Sequence, residues 1–300
     1  MPPATILVSG ASGLIGSALV PALERSGHRV LRLVRREPTA PNEVRWEPAG
    51  HLLDERHLAD VDVIVNLAGE TIGRRWTPSR RRRIHDSRVA GTDTIVAAMA
   101  RAKRRITLVN GSAVGYYGDC GDETLEETHG PGRGFLADLC RQWEDSAKEA
   151  TRQGGRVVML RSGIVLSMKG GALPQMLQPF RLGVGGRIAS GRQWLSWIDL
   201  DDTVRGISWL IDHSEIAGPV NLLSPNPVTN AEFTNIASRV LNRPAMFPVP
   251  ASALKLLFGQ MAEETILASQ RAVPSVLLRS GFQFSNPTLE GTLKRIREGW

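Results

Sequence analysis

Strand-like apolar segments alternate with helix-length ones from residue 5 to about residue 223, the first of them breaks into a row of spaced glycines, and the last quarter of the chain has helical patterning. These three observations predict an α/β fold: a doubly wound parallel sheet over residues 1–225, with a smaller, mainly helical lobe over residues 226–300. Parallel pairing follows because helix-length segments between strands require crossover connections, and such crossovers are right-handed.

The first strand and helix carry the most information. Thr5 to Gly16 read TILVSGASGLIG, and Ser17-Ala18-Leu19-Val20 follow at helical spacing. A strand that turns directly into a helix presents backbone N–H groups with no partner inside the helix, and the positive end of the helix dipole lies beside them. Gly10 permits the tight turn, Gly13 lets an anion approach the backbone, and Gly16 lets helix and strand pack closely. Gly10, Ser12, Gly13, Leu14, Ile15 and Gly16 are therefore expected to cradle a pyrophosphate in a Rossmann-type dinucleotide site. Gly27-His28 ends the first helix, and residues 29–34 (RVLRLV) read as the second strand. An NAD site usually closes that strand with a carboxylate that grips the ribose 2′-hydroxyl. Here Val34 is followed by Arg35 and Arg36, which suit a 2′-phosphate, so NADP(H) is expected over NAD(H).

Residues 61–67 (VDVIVNL) read as a buried strand that ends in Ala68-Gly69-Glu70. Residues 89–102 read as a helix, 106–110 as a strand, 135–153 as a long helix and 157–161 as another strand. The glycine-rich stretch within 166–193 reads as an irregular covering segment or substrate lip. Residues 204–212 return to helix, with Asp201 and Asp202 as its expected caps. Residues 220–223 form a late strand, 226–230 a linker, and 231–300 the helical lobe with a Gly-Phe-Gln-Phe turn at 281–284.

Composition narrows the class. Three hundred residues can bury a substantial core, no apolar run approaches the length of a membrane span, and because the first strand begins at once no signal peptide is expected. Cys120 and Cys140 have no metal or redox spacing, which fits reduced thiols in a cytoplasmic protein; no metal site is expected. The 37 basic and 30 acidic side chains leave a formal charge of +7. Without a nucleic-acid reading module, the basic excess at Arg74-Arg75 and from Arg80 to Arg83 reads as a solvated helix face or as a contact for a phosphate-bearing ligand or an acidic partner. The expected partner is a small-molecule substrate, not nucleic acid or membrane, and the oligomeric state is open between monomer and homodimer.

The segments VSGASGLIG, VNLAGE, GSAVGYYG, LRSGIVLS and WLSWIDLDD fall in the order and spacing of the extended short-chain dehydrogenase/reductases. With RWEP at 45–48, RRWT at 74–77, DSRVAGT at 86–92, SPNPVTNAEF at 224–233 and the tail from Leu267 to Leu293, the chain resembles the atypical YfcH-like branch of the epimerase/dehydratase type. The resemblance implies an NADP(H) cofactor, contacted further by Leu67, Ala68, Gly69 and Arg88, and oxidoreductase or epimerase chemistry. The chain departs from that group at one point. An ordinary member uses a Tyr as general acid/base, with a Lys four residues later that binds the ribose and lowers the phenol pKa. With Glu144 as anchor, those positions hold Leu136 and Cys140, and neither can do the work.

Four residues are candidates for the proton. Ser112 matches the serine that normally hydrogen-bonds substrate. Tyr116 and Tyr117, the only tyrosines, follow the same strand, and either could face the cofactor or pack in the YYG turn. Glu70 is the fourth. Arg88 stands where ordinary members place an Asn, which points to an anionic ligand or to an ion pair with Glu70 or Asp86. On the substrate side, Arg181, Arg187 and Gln193, with Arg192, lie in the segment that covers nucleotide-sugar phosphates in similar epimerases. Trp194 and Trp197 are expected in the core. Two functions remain: an NADP(H)-dependent oxidoreductase or epimerase acting on a small, anionic or nucleotide-linked substrate, and a catalytically inactive NADPH-binding sensor or scaffold.

Overall fold

The computed structural model describes residues 2–298. Its central sheet has seven parallel strands: β1 (Thr5–Ser9), β2 (Arg29–Val34), β3 (Glu43–Arg45), β4 (Val63–Asn66), β5 (Thr107–Ala113), β6 (Val157–Ser162) and β7 (Gly218–Leu222). They lie in the order β7-β6-β5-β4-β1-β2-β3, so the direction of winding reverses between β1 and β4 and a crevice opens there at the C-terminal strand ends. Ile6 sits opposite Val30 on one side and Val63 on the other. The helices are α1 (Leu14–Arg25), α2 (Pro78–Asp86), α3 (Val89–Ala102), α4 (Phe135–Lys148), α5 (Leu173–Arg181), α6 (Leu200–Asp212), α7 (Asn230–Leu241), α8 (Ala251–Phe258), α9 (Ser275–Arg279) and α10 (Leu289–Glu298).

Alternate residues of each strand enter opposite layers, and burial on both faces is why β1 and β4 read as unbroken apolar runs. Ile6, Val8, Val63, Val65, Val109 and Leu160 meet α1 and α6, whereas Leu7, Leu33, Ile64, Leu108 and Met159 meet α3 and the end of α4. Leu7 and Ile64 are fully buried, so truncating either to Ala would cost about 2–5 kcal/mol.

The structure corrects several local expectations. The segment expected to be irregular contains α5, because Leu173, Leu177 and Phe180 form an apolar stripe that packs on Phe233, Ala237 and Leu293 of α7 and α10. Residues 226–230 are no linker: Val228–Thr229 pairs antiparallel with Trp194–Leu195, and Thr229 and Glu232 form a capping box that starts α7. Helix α6 begins at Leu200, and its cap is Asp199, which accepts from the N–H groups of Asp201 and Asp202. Asp202 instead accepts from the N–H groups of Ser285 and Asn286, and Asp201 pairs with Arg295. The long helix stops at Lys148 and continues as a 3₁₀ turn, Glu149–Gln153. The chain also returns to the sheet late, since Leu277 and Phe282 join the core beneath α1 and α6.

Candidate functional site

The turn between β1 and α1 is drawn tight by Gly10, whose φ is +67° and whose added Cβ would lie 2.8 Å from the Leu67 carbonyl. Gly13 N–H donates to the Gly10 carbonyl at 2.9 Å, and a Cβ on Gly16 would fall 2.3 Å from that same oxygen. Helix α1 opens on Gly13 with no capping side chain and no carboxylate in its first turn. The N–H groups of Leu14 and Ile15 are thus free for an anion, with exposed Ser12 beside them. The facing wall is Leu67-Ala68-Gly69. Ser9 holds it: its Oγ accepts from the N–H groups of Leu67 at 3.1 Å and Ala68 at 3.2 Å, and donates to Asn66. Asn66 donates in turn to Asn110 at 2.7 Å and to Thr92 at 2.9 Å, and Thr92 also accepts from Trp143 Nε1. Sequence reasoning missed this buried girder, although a polar residue closing the apolar run of β4 was a signal for it.

Gly10, Ser12, Gly13, Leu67, Ala68, Gly69 and Glu70 line a cleft of about 1100 Å³. Leu14, Ile15 and Gly16 stand behind its wall in the first turn of α1. Arg32, Arg35 and Arg36 in and after β2, Arg45 of β3 and Arg83 of α2 line the same cleft, together with Glu43 and Glu47. The two arginines expected to act together there differ. Arg36 is committed to Glu43 through paired contacts of 2.6 and 2.9 Å and to the Glu37 carbonyl at 2.8 Å, and its contact holds the Glu43 carboxyl down to about 2. Arg35 is exposed on the cleft wall and makes no such fork. Arg32 pairs with Glu24 at 3.2 Å while its Nε is buried without a partner.

The basic run of α2 is only partly a solvated face. Arg80 is 13% exposed and reaches the Glu70 carboxylate at 3.2 Å, Arg81 bonds Gln260 and lies over the Phe135 ring, and Arg83 faces the cleft. Arg88 makes no ion pair with Glu70 or Asp86. Its Nη1 donates to the Glu70 carbonyl at 3.0 Å and the Ile84 carbonyl at 3.1 Å, and its guanidinium lies beneath Gly69, so it braces the turn from below. Burial lowers its pKa.

The candidate proton donors sit unequally. Ser112 is buried and donates to Glu144 Oε1 at 2.7 Å. Glu144 also receives Arg161 Nε at 2.8 Å and Nη2 at 3.0 Å, an ion pair with side chains only 2–3% exposed. Tyr117 is directed away from the cleft into this cluster: its hydroxyl donates to Asn221 Oδ1 at 2.8 Å and accepts from Arg161 Nη1 at 3.1 Å. Burial pushes the phenol up to about 12 in spite of the Arg161 charge, so Tyr117 is a structural residue and not a ready proton donor. Tyr116 is half-buried, with the Arg161 guanidinium 3.5 Å over its ring. Glu70 lines the cleft and keeps 36% of its side chain exposed. Leu136 and Cys140 are both buried, and burial raises the Cys140 thiol to about 12.

One contact that sequence reasoning missed joins a C-terminal element to this cluster. Glu264 accepts from Phe135 N–H at 3.0 Å and Leu136 N–H at 2.8 Å, capping α4 from a separate element, and Gln260 bridges it to Arg81. The expected substrate residues do not line the cleft. Arg181 ends α5, Arg187 is exposed in the following loop, and buried Gln193 spends its amide on the carbonyls of Ile188 and Ile266. Trp197 is core, whereas Trp194 is half-buried and bonds Asp122 at 2.8 Å. Among the described residues no group of side chains could hold a metal ion, and no helix is long and apolar enough to cross a membrane.

Residues 6–222 match the NAD dependent epimerase/dehydratase family, and residues 249–296 match a domain of unknown function, DUF1731. The chain is 46% identical over 287 residues to Epimerase family protein Mb2239 of Mycobacterium bovis, covering 95% of each. It is 36% identical over 297 residues to Epimerase family protein YfhF of Bacillus subtilis, covering 97% of each. Among solved structures it is similar to the human epimerase family protein SDR39U1 with NADPH, at a TM-score of 0.88 and 31% identity over 99% of this chain and 100% of that one.

Proposed function

The chain belongs to the NAD dependent epimerase/dehydratase family, and on that premise we propose that it binds NADP(H) and acts as an oxidoreductase or epimerase on a small anionic or nucleotide-linked substrate. One observation carries the cofactor preference: the uncapped N-terminus of α1 shares its cleft with the exposed Arg35, which stands just past β2 where an NAD site would carry a carboxylate. The NADPH in the human relative's structure supports the same choice. Gly10, Gly13 and Gly16 leave the room a pyrophosphate needs, the first-turn N–H groups bind it, and Arg35 meets the 2′-phosphate. Arg36 orders β3 through Glu43.

The cofactor supplies a hydride to a carbonyl or accepts one from a hydroxyl. The chain must hold the proton for that oxygen, and two groups are left for the task. Tyr116 has its ring fixed by Arg161, and Glu70 lies on the cleft beside Gly69 with Arg80 as its partner. Because Arg161 is neutralised by Glu144, no lone cation sits beside Tyr116 to do what the missing lysine does, so turnover is slow.

A second reading is an NADPH-binding sensor or scaffold. It is favoured by Leu136 and Cys140 being buried where the Tyr-Lys pair belongs, and by the tied hydroxyl of Tyr117. Single-turnover NADPH oxidation across a panel of carbonyl compounds separates the two. The enzyme reading expects a slow hydride transfer that Tyr116→Phe or Glu70→Gln removes and Tyr117→Phe spares. Complete inactivity of the unmutated protein across the panel supports the sensor.

A further inference from the structure

Among the described residues, six of the eight strongly exposed large apolar side chains fall in two short segments: Leu182 and Val184, then Met246, Phe247, Leu256 and Leu257, which are 51–78% exposed. These segments are neighbours in space. Phe247 N–H donates to the Gly185 carbonyl at 3.1 Å, Val249 N–H to the Arg187 carbonyl at 2.9 Å, and Ile188 bridges Val249 in parallel. Helix α8 continues from there with no buried residue of its own. Arg75 ties its end to the loop after β4 by bonding the carbonyls of Leu256 and Leu257.

The charge on this lip is one-sided. Residues 167–198 and 233–262 contain seven of the 37 basic side chains and none of the 30 acidic ones. These stretches therefore hold an excess of seven basic side chains, of which Arg239 pairs with Glu290 and Lys255 with Glu263, while Arg187 and Arg243 stand beside the apolar residues of the lip. Arg187 and Arg243 flank the apolar residues in sequence, and the exposed Arg74 and Arg75 lie beside the end of α8. Lys255 is the one basic residue of α8, and it pairs with Glu263 just beyond the lip.

We propose that this lip is a docking surface for an anionic lipid bilayer, with the Leu, Met and Phe side chains entering the interface and the basic rim lying at the level of the headgroups. Charge selects this occupant. In a twofold contact between copies Arg187 and Arg243 would face their own counterparts, and the neighbouring carboxylates Glu263 and Glu290 are already committed to Lys255 and Arg239. Nucleic acid would satisfy the charge but leave six apolar side chains against phosphate. Peripheral docking requires no spanning helix, and it is independent of the dinucleotide cleft.

The test is cosedimentation of the full chain with phosphatidylcholine vesicles and with phosphatidylcholine–phosphatidylglycerol vesicles. The unmutated chain is expected to pellet with the anionic vesicles and to stay in solution with the neutral ones. Leu256→Gln with Leu257→Gln should lower the anionic partition at least tenfold, and Arg243→Gln about fivefold. Because Leu256 and Leu257 are 78% and 61% exposed, the thermal midpoint of the double variant should not move. Failure of the unmutated chain to pellet, or pelleting that ignores the leucine changes, overturns the proposal. So does a dimer in sedimentation velocity that the leucine changes dissolve while no vesicle binds, which would make the lip a contact between copies.

Discussion

Removing the Glu144 carboxylate should be among the most damaging single changes to the protein. Glu144 is 1% exposed and accepts three hydrogen bonds, one from Ser112 and two from Arg161. Arg161 is itself 3% exposed, and its remaining bonds go to the Tyr117 hydroxyl and the Glu127 carbonyl, both neutral. Glu144→Ala therefore leaves a buried guanidinium with two N–H groups unpaired and without its ion-pair partner. Such a loss costs about 3–5 kcal/mol, which for a chain of this length is roughly 5–8 °C in thermal midpoint. Glu144→Leu with Arg161→Leu removes both charges and should recover at least half of that loss, because desolvation is no longer imposed on an unpaired ion. Urea denaturation of the three proteins, followed by tryptophan fluorescence, measures the difference. A cost below about 1 kcal/mol for Glu144→Ala would mean that water reaches Arg161, and the reasoning that the cluster is dry would fail.

Three further outcomes follow from the same geometry. Gly13→Val should abolish dinucleotide binding in calorimetry yet leave the melting temperature nearly unchanged, because the new Cβ meets only the Gly10 carbonyl at 3.2 Å; unchanged affinity would put the cofactor elsewhere. Tyr117→Phe should destabilise by about 1–3 kcal/mol by orphaning Asn221 and one Arg161 N–H, and in Tyr116→Phe protein the remaining phenol, pushed up to about 12, should show no ionisation between pH 8 and 10 in absorbance at the phenolate band. His85 is partly desolvated, but its bonds to Gln142 and Asp86 leave its pKa raised in the folded state. Its contribution is therefore present below about pH 6.5 and is lost as the pH rises through the folded value; the matching fall in thermal midpoint should be absent in His85→Gln.

What could be read from the chain in advance was local or periodic. The turn from β1 into α1 was visible because Gly10, Gly13 and Gly16 act on backbone within a few residues, and the sheet was visible because burial on both faces writes continuous apolar runs. The polar framework was not, because its partners are far apart: Ser112 and Glu144 by 32 residues, Tyr117 and Asn221 by 104, Leu136 and Glu264 by 128. A signal was still present. Glu144 stands on the same helical stripe as Leu136, Cys140 and Ala147, and a carboxylate on a buried stripe must have a partner. Arg161 near the end of an apolar strand is that partner. Arg35 and Arg36 looked equivalent because their difference is made by Glu43, which the pairing of β2 with β3 brings alongside. Helix α5 was hidden by its flanking glycines and its two prolines, although Leu173, Leu177 and Phe180 already had helical spacing.

The claim that this cleft selects NADP(H) is tested most directly by titrating the protein with NADPH and with NADH while following the quenching of its tryptophan fluorescence, before and after Arg35→Ala. A charge-assisted contact to the 2′-phosphate contributes about 1.5–3 kcal/mol, so NADPH should bind roughly ten- to a hundredfold more tightly than NADH. Arg35→Ala should remove most of that margin by weakening NADPH alone, and Arg36→Ala should remove less of it, since Arg36 is held by Glu43. Equal affinity of the unmutated protein for the two cofactors would contradict the account.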